Sequence, residues 1–130
     1  TEEMMNSCEI RVVGPRGRDE SALTETFKGF GHHVSELPAA SPPQHDGEII
    51  VVDARDARLD ELAEIERDLR AQPGPIVVIS DNMGSNFGSL GNNLGRSVVL
   101  ASSGSEMGYK VALKLCQLMI QDRVATGVAA

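Results

Sequence analysis

The chain has 130 residues, 41% hydrophobic and 24% charged, with a formal net charge of −7, no Trp and only four aromatic rings (Phe27, Phe30, Phe87 and Tyr109). That length suits one compact domain, the apolar content excludes a disordered acidic tail, and the longest apolar runs, such as Ile49 to Val52, fall far short of the roughly 20 residues of a membrane helix. No cluster of Lys and Arg is present to neutralise phosphates, so neither a membrane nor direct nucleic-acid binding is expected.

Ile10 to Val13 reads as a first strand, closed by Gly14-Pro15-Arg16-Gly17, which must turn. Asp19 or Ser21 can cap the segment in which Leu23, Phe27 and Phe30 recur at helical spacing, with Gly31 as its stop. Val34 to Leu37 is a weak strand. Pro38, Pro42, Pro43 and Gly47 then make an irregular connection without helical period. Ile49-Ile50-Val51-Val52 is a continuous β-branched run ending at Asp53, the mark of a strand buried on both faces. Leu59, Leu62, Ile65 and Leu69 mark one face of a helix that Pro73-Gly74-Pro75 ends. Ile76 to Ile79 repeats the buried-strand pattern and runs into Ser80-Asp81-Asn82.

Residues 83 to 95 are rich in Gly and make a poor helix, each Gly costing about 1 kcal/mol relative to Ala. Ser97 to Ala101 is a fifth strand, and a long helix from about Ser105 to Val124 follows, with Ser102-Ser103-Gly104-Ser105 as its cap. Strands alternating with helices in this way predict an α/β fold, a doubly wound, five-stranded parallel sheet of flavodoxin-like type. Residues 1 to 125 form that domain, and 126 to 130 read as a tail or the start of a linker.

Charge is uneven along the chain. Residues 1 to 80 carry 8 basic and 16 acidic side chains, residues 81 to 130 carry 4 and 3, so the nearly neutral last third is the better contact surface. Cys8 and Cys116 lie far apart with no metal-ligand spacing around either, and they read as reduced cysteines of a cytoplasmic protein. No export signal is evident at the N-terminus. His32-His33 has no accompanying ligand cluster, and Gly14 to Gly17 matches no phosphate-loop pattern, so neither a metal nor a nucleotide is expected from them.

In a sheet of this kind ligands gather at the carboxyl ends of the strands. Those ends carry Gly14-Pro15, Asp53, Ser80-Asp81 and Ser102-Ser103. The run from Ile49-Ile50-Val51-Val52-Asp53 through Leu59-Asp60-Glu61-Leu62 to Pro75-Ile76-Val77-Val78-Ile79-Ser80 resembles the receiver domain of two-component response regulators, and the resemblance covers nearly the whole chain. It implies that Asp53 stands at the phosphate-accepting position and Ser80 at the position that contacts the phosphoryl group. Two departures accompany it. Gly14 and Pro15 replace the acidic pair that holds magnesium in receivers, and the Lys-Pro after the fifth strand is missing around Leu100 to Ser103. Arg16 or Arg18 near the site would repel magnesium rather than bind it.

The resemblance therefore implies an atypical receiver, or pseudo-receiver, in which Asp53 is vestigial as a phosphoacceptor. No enzymatic activity and no cofactor are expected. Two other readings stay open. One is a working receiver that accepts a phosphoryl group on Asp53, with magnesium held by Asp56 or Asp81. The other is a small-molecule binding module at the strand ends near Gly14, Asp53 and Ser80.

The last helix carries two apolar stripes. Met107, Val111, Leu115 and Leu118 are assigned to the sheet. Tyr109, Leu113, Cys116 and Ile120 are left as a second stripe, covered either by the Gly-rich segment or Met4-Met5, or by a homodimer or partner interface. In receivers the face made by the fourth helix, fifth strand and fifth helix is commonly used for output. The expected function is signal transduction through protein contacts with a partner or an attached effector.

Overall fold

The computed structural model describes residues 7–15, 17, 19–45, 47–81 and 98–125. In chain order they form β1 (Glu9–Val13), α1 (Ser21–Gly29), β2 (His33–Ser35), β3 (Ile49–Asp53), α2 (Leu59–Leu69), β4 (Ile76–Ser80), β5 (Val99–Ser102) and α3 (Glu106–Ala125). The five strands make one all-parallel sheet in the order β2-β1-β3-β4-β5, with helices on both faces, which is the flavodoxin-like α/β arrangement. The Gly-rich segment at 83 to 95, Met4-Met5 and the tail at 126 to 130 lie outside the described residues.

The β-branched runs behave as their composition requires. All five residues of β3 and all five of β4 are buried, because these two inner strands have side chains on both faces and both faces are covered. Strand alternation sorts the core into two layers. Ile10, Val12, Ile49, Val51, Val77, Ile79 and Ala101 pack under Leu23 and Phe27 of α1 and under α3. Val13, Ile50, Val52, Ile76 and Val78 pack under Leu62, Ile65 and Leu69 of α2, while Leu59 at its start is exposed. α2 is closed at its N-terminus by the Arg58 N–H donating to Glu61 Oε1 at 2.9 Å. After the helix, Gly74 passes so close to β3 that any side chain there would collide with the Glu48 carbonyl.

The assignment of the two stripes on α3 is corrected. Tyr109, Leu113 and Cys116 are 5%, 1% and 0% exposed and belong to the first core layer, with Ile120 packed at its edge. Met107, Val111, Leu115 and Leu118 are the exposed ones, at 70%, 49%, 45% and 48%. Charge decides the roll of the helix. Turning the Met107 stripe inward would carry Lys114 and Asp122, which sit beside and in line with it, into an apolar layer. The Tyr109 stripe brings no charged residue with it: Ala112 and Gly108 are small enough for close approach to the sheet, and the neutral Gln117 bonds Cys8.

No helix connects β2 to β3 among the described residues between them. A strap containing Pro38, Pro42 and Pro43 covers that part of the second face instead, and side chains from elsewhere hold its carbonyls. Arg11 in the middle of β1 is fully buried. Its Nη1 donates to the carbonyls of Pro38 at 3.0 Å and Ser41 at 2.6 Å, and its Nη2 to that of Pro42 at 2.8 Å. The same Nη2 lies 3.1 Å from Glu48 Oε1, an ion pair inside the fold. Gln72 Nε2 adds bonds to the carbonyls of Ala39 at 2.7 Å and Ser41 at 2.6 Å. Two long polar side chains thus supply what a helix would satisfy within its own backbone.

Candidate functional site

Asp53 is the last residue of β3 and is fully buried. Its carboxylate is gripped by Arg55, two residues on. Arg55 Nε donates to Oδ1 at 2.7 Å, Nη2 to Oδ2 at 2.9 Å, and the Arg55 backbone N–H to Oδ1 at 3.1 Å. Forked pairs of this kind are among the stronger and more directional contacts available to a carboxylate. Burial pushes the Asp53 pKa up, but hydrogen bonds from Arg55 and Glu20 and the guanidinium charge outweigh it, and the carboxyl is held below its usual range. The bond to Asp53 in turn raises the Arg55 pKa further.

Glu20 is the member of this cluster that the sequence reading missed. It occupies the N-cap position of α1 but makes no capping bond with its side chain. Its carboxyl instead faces Asp53 and helps to lower the Asp53 pKa through a side-chain hydrogen bond. Gly14 makes the approach feasible, because a Cβ there would collide with the Glu20 carboxyl and touch Asp53 Cβ at 3.4 Å. Asp19, expected as a cap, accepts the Ser21 N–H at 2.9 Å and is exposed. The signal in the sequence was an acid at the start of α1 facing a glycine at the end of β1.

Ser80 ends β4 and is buried, but the register pairs Asp53 with Ile79 and Ser80 with Ser102. Alternation places Asp53 on the face of Val51 and Ser80 on the face of Val78, so the two side chains leave the sheet on opposite sides. Asp56, in the left-handed region at φ 55°, and Asp81 are both exposed. Ser105 caps α3 as expected, its Oγ accepting the Gly108 N–H at 3.0 Å. Tyr109 reaches from α3 to the strand ends, where its hydroxyl accepts the Gly104 N–H at 2.8 Å.

These residues do not fit magnesium. The ion requires oxygen ligands in near-octahedral array, and the space in front of both Asp53 oxygens is filled by a cation already bonded to them. Among the described residues no group of three or more His, Cys, Asp or Glu side chains could hold a metal ion. His32 is buried and its Nδ1 accepts the Cys8 N–H at 3.0 Å, while His33 is exposed beside Glu9, both at the amino end of the sheet, away from Asp53.

A cavity of about 360 Å³ opens at the ends of β1 and β2, between the strap and α2. Gly14 lines it, with Glu20, Glu36, Glu64 and Asp68 among the walls, whereas Asp53 and Ser80 do not. The crevice expected around Gly14, Asp53 and Ser80 is therefore displaced toward β2. Among the described residues no helix is long and apolar enough to cross a membrane. No protein-family model matches the chain, and no curated protein sequence matches it.

Proposed function

We propose that this domain is an atypical, receiver-like signalling module that acts through protein contacts without magnesium-dependent phosphorylation of Asp53. The observation that supports this reading is the Arg55 fork. A carboxylate whose two oxygens are both bonded to a guanidinium is a poor nucleophile, and a phosphoryl group arriving at either oxygen would have to displace the Arg55 bond there. The exposed stripe of α3, Met107, Val111, Leu115 and Leu118, is the contact surface for a partner protein or an attached effector.

The deciding experiment is intact mass after incubation with acetyl phosphate and magnesium, run beside Asp53→Asn, with the oligomeric state followed by light scattering. No adduct and an unchanged molar mass are expected. A single phosphoryl adduct that disappears in Asp53→Asn would make the domain a working receiver.

A further inference from the structure

We infer that the Arg55 guanidinium is a tethered replacement for a divalent cation, and that it keeps the site at the end of β3 in one state whether or not such ions are present. This rests on the receiver-like reading and names how the site is regulated. Three donors from one residue converge on Asp53: the side chain spans both carboxylate oxygens, and the backbone N–H returns to Oδ1. The turn that presents the cation is thus fastened by the anion it neutralises. Asp53 is neutralised without an ion, because both of its carboxylate oxygens are matched by the Arg55 guanidinium. Arg55 is attached two residues from Asp53, so its effective concentration at the carboxylate far exceeds that of any free ion. Its side chain is 30% exposed, so it can be exchanged without opening a hole in the core.

The test uses Mn²⁺ alone, read by water-proton relaxation, on the wild type, Arg55→Lys, Arg55→Gln and Arg55→Gln combined with Asp53→Asn, each checked for folding by circular dichroism. Wild type and Arg55→Lys, which keeps the tethered charge, are expected to show no saturable Mn²⁺ binding. Arg55→Gln should gain a site at least about tenfold tighter than any wild-type binding, and Asp53→Asn should abolish it. As a check that needs no variant, the Arg55 Nε–H signal in a nitrogen-15 spectrum of the wild type should stay unbroadened by Mn²⁺. Equal Mn²⁺ affinity in wild type and Arg55→Gln, no gain in a folded Arg55→Gln, or broadening of the Nε–H signal would each overturn the inference. If Arg55→Gln gains nothing and the wild type takes no phosphoryl group, the tethered-cation idea fails while the signalling reading stands. Saturable Mn²⁺ binding and phosphorylation of the wild type would remove both.

Discussion

Replacing Arg11 by Met should be among the most damaging single changes in this fold. The substitution keeps an unbranched stem in a fully buried position but strips Glu48 of its ion-pair partner and three strap carbonyls of their donors. Breaking a buried pair from one side costs about 3–5 kcal/mol, mostly because the remaining charge is left in a low dielectric. The carbonyls add to this only in part, since a loosened strap lets water reach them. With a urea dependence of about 2 kcal/mol per molar, the unfolding midpoint should fall by roughly 2 M, a large share of the ~5–15 kcal/mol that holds a domain folded. Pairing Arg11→Met with Glu48→Leu removes the stranded charge and leaves the carbonyls alone, so the loss should shrink to about 1–2 kcal/mol. Urea unfolding followed by circular dichroism reads both. A loss under about 1 kcal/mol in Arg11→Met, or a double variant no more stable than the single, would refute the assignment of the strap to a buried-charge clamp.

Two further outcomes follow from the core. Leu113→Ala should cost about 2–5 kcal/mol and Leu115→Ser no more than about 0.5 kcal/mol in the same urea assay, and the reverse ranking would return α3 to the roll expected from sequence. His32 is buried and its pKa is lowered by desolvation and by His33, so its contribution to stability is complete above the unfolded value of about 6.5 and is lost as pH falls through it toward the folded value. Stability measured from pH 8 down to 5 should therefore decline less in His32→Gln than in the wild type, and parallel declines would count against this.

β3 and β4 were legible because β-branched runs of four residues permit little else, and the all-parallel sheet followed from their lack of polar alternation. The short, less branched β2 and β5 run over His33–Ser35 and Val99–Ser102 instead of the expected Val34 to Leu37 and Ser97 to Ala101. α3 was harder. Both of its stripes satisfy helical periodicity, and only the neighbours of each stripe, Lys114 and Asp122 against Ala112 and Gly108, separate the buried side from the wet one. At the strand ends, sequence spacing found Asp53 but looked for its cation at Arg16 and Arg18. The partner sat two residues downstream, at a separation that reads as an ordinary turn until the side chain is seen to fold back. Arg11 went unread in the sequence, although it is a lone charge inside an apolar strand, on the face that the proline-rich connection leaves without a helix.

The strap also joins distant parts of the chain. Arg11 lies 27 to 31 residues before the carbonyls it binds, and Gln72 lies 31 to 33 residues after its own, so the strap is held by side chains from both sides of it in sequence. It is therefore pinned to the sheet by two independent side chains, one from β1 and one from just after α2.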